Sequence, residues 1–441
     1  MQSPIKKLTR LLLMSTLLGS SVGAQAATSG LLDIYRMAVD YDPVLSQAKA
    51  QFAADQQQLK ALEGGLYPQI NAGWNLSKTE ASTQSRDVGS SDLTVTVNQA
   101  LYQNQLWARI DQSKSAVIAS EVALQTAEQA LILQVTEAYF AVLLAKQTLA
   151  LFKSREEADL LQLESAKASA EVGLSSQVDV LQAQSSYDLS KSNRINAENS
   201  LDLAEEALLK ITGQPFGSLK ALPLKVELPS SVLDLTGLEQ QAQQQNLTVI
   251  ASQAQAEIAR QEIEVQKSGD MPVVAAQARF NDTRYDQNTF EDYSGATLGL
   301  NVTLPLYTGG TTQASINAAR AQNQKSLEAL RAAKNQARLD ARSQVRNIER
   351  GESLIAALRE AVKSNNAFLE AAEEGYKVGL RDLLEVFSAR ANQVDAMKNL
   401  LEAQHNQVLN RLRLESVLGD LTPEDLQVFD TLLTSSPENA S

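Results

Sequence analysis

The chain has 441 residues, no Cys, a single His, and 52 acidic against 39 basic residues, for a formal charge of −13. No disulfide, thiolate metal site, Cys nucleophile or lipidated N-terminal Cys can be built from it, and His405 alone leaves little room for a His-based triad or imidazole metal site. The acidic balance repels phosphate and argues against nucleic acid as a partner. Few aromatic residues (5%) among plentiful Ala, Gln, Leu and Ser point to long helices with small residues at their contacts.

The N-terminus reads as an address. Lys6, Lys7 and Arg10 precede the apolar run Leu11 to Leu18, and Ala24-Gln25-Ala26 has the small-x-small form of a signal-peptidase site. Cleavage is expected before Ala27, leaving a formal charge of −16. No later stretch is expected to approach the 18 or more apolar residues of a membrane helix. An exported, cysteine-free chain points to the periplasm or outer membrane of a bacterium.

Short motifs then recur at a nearly fixed offset. Tyr67-Pro68 returns as Met271-Pro272, Val97 to Tyr102 as Val302 to Tyr307, Val172-Gly173-Leu174 as Val378-Gly379-Leu380, Asp179-Val180 as Glu385-Val386, and Ile211-Thr212-Gly213 as Val417-Leu418-Gly419. The offset drifts only from 204 to 206, which reads as a tandem internal repeat. The expected organisation is a signal peptide (1–26), a first repeat (27–213), an inter-repeat linker (214–237), a second repeat (238–419) and a C-terminal segment with a disordered tail (420–441).

Each repeat presents the same elements. Asp42 caps a helix with Pro43 at N1, apolar Leu45, Ala48, Phe52, Leu59 and Leu62 keep to one face, and Gly64-Gly65 stop it. Its counterpart is expected from Leu238 to Ser268-Gly269. Two strands follow in each repeat with a period of two: Ile70, Ala72, Trp74 and Leu76; Leu93, Val95 and Val97; Val274, Ala276, Ala278 and Phe280; Leu298, Leu300, Val302, Leu304 and Leu306. Polar or small residues stand between them.

One apolar and one polar face suit either a sheet on a soluble core or an outer-membrane barrel. The long polar loops Thr79 to Asp92 and Asp282 to Gly295 favour the barrel, as does the lack of a free amphipathic helix to cover the apolar faces. Four strands cannot close a barrel, and open edges in lipid leave backbone groups unpaired at several kcal/mol each. Strands in a membrane therefore require several chains to share one barrel.

From about Tyr102 to Val172, and from Thr311 to Val378, no proline interrupts. Such helices would run ~105 Å. Leu131, Val135, Ala138, Val142, Ala145, Leu149 and Phe152 keep 4-3 spacing, and Ile355, Leu358, Val362, Asn365, Leu369, Ala372 and Tyr376 continue a like seam. Each long helix turns at Val-Gly-Leu, with Gly173 and Gly379 as tip turns, and a second helix returns to Gly213 or Gly419.

From about residue 30 to 425 the chain resembles the TolC family of outer-membrane efflux channels. The resemblance rests on the duplicated order of helix, strand pair and helical hairpin. It rests also on Tyr67-Pro68-Gln69-Ile70, Leu304-Pro305-Leu306-Tyr307-Thr308-Gly309-Gly310, Gly375-Tyr376-Lys377-Val378-Gly379, Asp382-Leu383-Leu384-Glu385-Val386 and Val417-Leu418-Gly419. It implies an α+β fold: an outer-membrane β-barrel shared by three chains, four strands each, continuous with a long periplasmic α-helical coiled-coil barrel. It further implies a homotrimer, outer-membrane lipid around the barrel, a periplasmic adaptor (membrane fusion protein), and an inner-membrane ABC or RND-type transporter. The work implied is drug efflux or type I protein secretion, with no cofactor.

At the hairpin tips, Ser176 to Asp179 and Asp382 to Glu385 each match an N-cap with an acid at N3, so capping by itself accounts for Asp179 and Glu385. The resemblance implies more: a periplasmic gate in which Glu385 carboxylates ring the axis and Tyr376, Arg381 and Asp179 link the closed state. Ser388 stands where some relatives carry a second acid, which weakens such a ring.

Gly309-Gly310 reads as a strand-to-helix turn rather than a phosphate loop, since no Gly-Lys-Ser/Thr follows. His405 is expected to be solvated. Arg338, Arg342, Arg346 and Arg350, with Asp340 and Glu349, form a charged face, with lumen or adaptor contact as the other reading. Residues 214 to 235 are expected to pack with Asp420 to Leu433 around the middle of the tube. A trimeric coiled-coil adhesin would also share a barrel, but with one C-terminal set of strands instead of two internal ones; an enzyme lacks a nucleophile, base and orienter set.

Overall fold

The computed structural model describes residues 29–79, 88–223, 234–286 and 291–434. The expected export signal, much of the inter-repeat linker and the tail expected to be disordered lie outside the described residues. Chain order is α1 (Leu31–Tyr41), α2 (Pro43–Gly64), β1 (Gln69–Thr79), β2 (Val88–Gln103), α3 (Asn104–Glu171), α4 (Gln177–Thr212), α5 (Leu235–Gln245), α6 (Leu247–Lys267), a 3-10 turn (Ser268–Asp270), β3 (Val273–Tyr285), β4 (Tyr293–Thr303), α7 (Thr311–Lys377), α8 (Leu383–Leu418) and α9 (Pro423–Leu432). The long helices have 68 and 67 residues, and the returning ones 36 each.

Asp42 caps α2 as its sequence requires, its carboxylate accepting from the Leu45 N–H at 2.6 Å. The stretch before it, unassigned from sequence, is a helix: Leu31, Ile34, Tyr35 and Ala38 bury one face of α1. The single helix expected from Leu238 is two. Asn246 ends α5 and caps α6, accepting from the N–H groups of Thr248 and Val249, so the second half breaks at an Asx cap just as the first breaks at Asp42.

The strands form one antiparallel sheet in the order β1-β2-β3-β4. They run further into the loops than the alternation indicated, with β2 covering 16 residues. At the other end β4 stops at Thr303, so Leu304 and Leu306, expected to continue it, lie outside. Pro305 has no N–H to give a ladder. The chain then turns through Gly309 and Gly310, both with positive φ (+66° and +84°), into α7.

With 68 residues, α3 is about 100 Å long. It packs along one stretch against α2 and α6 and along another against α4, while α7 packs in the same way against α6 and α8. Asn104 to Ser268 (2.9 Å) and Gln112 to Glu262 (2.7 Å) fix α6 antiparallel to the start of α3. The expected seams are real: Leu131, Val135, Val142 and Leu149 on α3, and Ile355, Val362 and Ala372 on α7, are buried.

The largest core gathers side chains from both halves. Leu31, Ile34 and Ala38 of α1 meet Leu131, Val135, Tyr139 and Leu143 of α3, Leu208 of α4, Val408 and Leu412 of α8, and Leu426 and Phe429 of α9. Linker residues join it as expected: Ala221 pairs with Thr434, and Lys220 reaches Asp430 at 3.2 Å. Contrary to the sequence reading, one stretch of α3 is long and apolar enough by composition to cross a membrane. On α3, Leu131, Ile132, Tyr139, Phe140 and Leu143 fill this core. His405 is a second correction. It is 4% exposed, its ring 5.1 Å from that of Phe140, and burial lowers its pKa to about 4.

Candidate functional site

The sheet sorts its side chains by register. Directly opposed residues in antiparallel strands share a face. One face carries the rows Ile70–Val97–Ala278–Leu298 and Ala72–Val95–Phe280–Ala296; the other carries Asn71–Thr96–Arg279–Thr297 and Gln69–Asn98–Gln277–Gly299. All four apolar series thus fall on one side, and nothing among the described residues covers it: Trp74 is 71% exposed and Leu298 84%. Aromatic side chains flank the apolar band. Tyr67, Tyr307 and the edge-to-face pair Tyr102–Trp107 (5.5 Å) stand at the helical end, with Trp74 toward the other. An uncovered apolar band between aromatic girdles is the pattern of a barrel wall in lipid.

At the opposite end of the long helices, two tips repeat one geometry. Leu174 N–H donates to the Ser169 carbonyl and Leu380 N–H to that of Gly375, each at 2.8 Å, with Gly173 (φ +75°) and Gly379 (φ +73°) in the left-handed region. The flanking Val172, Leu174, Val378 and Leu380 are exposed.

Beyond the turns the tips differ. Asp179 completes a capping box: it accepts from the Ser176 N–H (2.9 Å), the Ser176 hydroxyl (2.8 Å) and the Ser175 hydroxyl (3.0 Å), and these bonds lower its pKa. Asp382 caps α8, accepting from the Glu385 N–H at 2.8 Å. The Glu385 side chain does not close a matching box; it pairs with Arg381. Gly375 lets Arg381 lie over the last turn of α7, since a Cβ there would come within 2.6 Å of the Arg381 side chain. Tyr376 packs against the apolar clusters that hold Leu163, Ala183, Leu383 and Phe387 and, separately, Ala372 and Val386. Within one chain, then, Arg381 is brought to Glu385, and Asp179 to two serines.

The family described as Outer membrane efflux protein matches residues 34–214 and 238–420. The chain belongs to the outer membrane efflux protein family. Outer membrane protein TolC of Vibrio cholerae serotype O1 is 32% identical over 432 residues, 96% of this chain and 97% of that protein. The proteases secretion protein PrtF of Dickeya chrysanthemi is 26% identical, covering 96% and 95%. Among solved structures, the outer membrane channel CmeC of Campylobacter jejuni superimposes with a TM-score of 0.80 at 14% identity, over 98% of this chain and 99% of that one. This efflux protein is accordingly a protein of the bacterial outer membrane, in a family of transport channels.

Nothing in the residue pattern had singled out the charged cluster that this efflux protein buries between its two halves, behind the tips. Arg390 of α8 donates to Asp159 of α3 at 2.9 Å and to Glu373 of α7 at 2.7 Å, and Arg155 lies 3.6 Å from Asp159. Asp159 is 1% exposed. A signal was present. The seam of α3 continues its 4-3 spacing through Glu156 and Asp159 to Leu163, and that of α8 through Leu383, Phe387, Arg390 and Val394. Opposite charges at core positions of facing seams specify which helix meets which, and in what register. The arginine ladder on α7 likewise has a partner, since Arg342 bonds Glu239 of α5 at 2.7 Å. Arg342 foremost, with Arg338 and Arg346, lowers the Glu239 pKa.

Proposed function

We propose that three copies of this chain form a channel-tunnel that exports drugs, proteins or both across the outer membrane, working with a periplasmic adaptor and an inner-membrane ABC or RND-type transporter. The carrying observation is the open four-stranded sheet: among the described residues its apolar face is uncovered, and β1 and β4 each have a strand on one side only. In lipid such edges cost several kcal/mol per unpaired backbone group, and pairing β4 of one copy with β1 of the next removes them. The helices then continue the wall as a coiled-coil tunnel across the periplasm, with residues 27–213 and 238–419 as two duplicated units. Drug efflux and type I secretion are supported by the family's description and by a relative that serves protease secretion.

The tunnel closes at the helix tips. Asp179, Tyr376, Arg381 and Glu385 make the gate, with Arg381 exchanging between Glu385 of its own chain and Asp179 across hairpins, and Gly173 and Gly379 forming the turns that meet the adaptor. Cross-linking and electron microscopy of detergent-solubilised protein test the assembly: a tapering trimer is expected, and a monomer refutes it. Replacing Asp179 and Arg381 with Ala should raise single-channel conductance in a planar bilayer, and Glu385→Ala should reduce cation selectivity. Unchanged conductance or an unmoved reversal potential removes the respective assignment.

A further inference from the structure

The polar face of the sheet is nearly free of charge. In the strand rows that oppose the apolar face, only Asp92 and Arg279 are ionic. Asp92 stands in the row Asn75–Asp92–Thr283–Tyr293 and accepts from the hydroxyls of Thr283 (2.7 Å) and Thr94 (3.1 Å). Arg279 stands two rows further along the same face, about 13 Å away at ~3.3 Å per residue. Its own row supplies Asn71, Thr96 and Thr297, and the adjoining rows supply Gly73, Thr94, Asn281 and Gly295 on one side and Gln69, Asn98, Gln277 and Gly299 on the other. No carboxylate lies in these rows, and among the described residues Arg279 has no ion pair. The surroundings are also shallow, for a Cβ built on Gly73 or Gly299 would meet nothing within 4 Å. The guanidinium is exposed and projects from a floor of glycine, threonine and amide side chains.

We infer that Arg279 is an anion-binding site inside the membrane-embedded part of the duct, one guanidinium per chain forming a cationic collar that takes multivalent anions such as polyphosphates and polycarboxylates. The inference rests on the trimeric barrel proposed above. If the apolar face meets lipid, the opposite face meets the lumen, and equivalent residues from three chains lie at one height. Rings of arginine favour anions in pores, and a planar guanidinium with five donors suits oxyanions in particular. Low-dielectric walls around a water-filled bore focus the field of such a ring. On the lumen face the Arg279 ring then lies nearer the helices and the Asp92 ring about 13 Å nearer the loops, so a solute from the tunnel meets the cationic ring first. An anionic solute arriving from the tunnel is drawn to the Arg279 collar, and a cationic one is held back there.

The test uses the purified full-length protein in planar bilayers, with inorganic tripolyphosphate added to the barrel side or the tip side. Block of current from the barrel side is expected, with about a tenfold higher half-blocking concentration in Arg279→Gln and near wild-type block in Arg279→Lys. Addition to the tip side should block less. Equal block of the wild type and Arg279→Gln, or no block of the wild type, overturns the collar. A protein that cross-links only as a monomer overturns the trimeric barrel and the collar with it, and is distinguished by the cross-linking pattern before any current is recorded.

Discussion

Arg390→Ala is the sharpest perturbation of the packing between the long helices. The side chain ties α8 to Asp159 of α3 and to Glu373 of α7. Asp159 is 1% exposed, so removing the guanidinium leaves a carboxylate with neither water nor its closest cation. Arg155 at 3.6 Å offers partial compensation, although its Nε and the Asp159 Oδ2 make no hydrogen bond. Breaking one partner out of a buried pair costs about 3–5 kcal/mol, whereas exposed pairs are worth ~0–1 kcal/mol. Glu373, more exposed, can return to solvent and adds little. Guanidinium unfolding of the detergent-solubilised protein, followed by far-UV circular dichroism at one protein concentration, should show a loss in that range for Arg390→Ala. The double variant Asp159→Leu with Arg390→Met replaces both charges by apolar groups of similar size and should recover most of it. A loss below about 1 kcal/mol for Arg390→Ala would mean that the cluster behaves as a surface pair, and the reasoning would fail.

Acid should weaken the largest core through His405. Its folded pKa of about 4 lies below the ~6.5 of an unfolded chain, so the unfolded state takes the proton first. Stability is therefore full above pH 6.5 and declines as pH falls toward 4, by about 3 kcal/mol in total at ~1.4 per unit. His405→Leu should flatten that segment of the curve, and an unchanged slope would assign it to other groups. For the sheet, Leu298→Arg should impair assembly of the proposed barrel by about 2–4 kcal/mol, whereas Thr297→Arg on the opposite face should assemble normally. The yield of the proposed trimer on a gel reads both, and equal behaviour of the two variants would refute the assignment of faces.

Much of this architecture was legible because its elements carry their own signals. Period-two alternation placed four strands on the correct faces, since a slip of one residue would have turned every side chain over. Heptad spacing and Val-Gly-Leu placed two hairpins, because only glycine takes the left-handed turn of Gly173 and Gly379 without strain. The helix α1 and the break at Asn246 were missed. Both are short features whose assignment depends on a tertiary partner, α1 through its buried face and the break through docking of Asn246 on the Val417 carbonyl at 2.9 Å. At the candidate gate, the cap at Asp179 followed from Ser176 three residues earlier. The pairing of Glu385 with Arg381 did not follow, because the same Asp-x-x-Glu spacing allows either partner.

By itself the sequence determined the element types, their doubled order and the sidedness of each strand, since all three are set by residue spacing along a local backbone. Only the tertiary structure decided what each apolar or charged surface meets. The same kind of apolar stretch is buried in the largest core on α3 and left bare on β4. Likewise, Asp159 and Arg390, 231 residues apart, become one interaction only when two seams are laid side by side. Burial and pairing depend on distances between segments remote in the chain, and no local pattern encodes those distances.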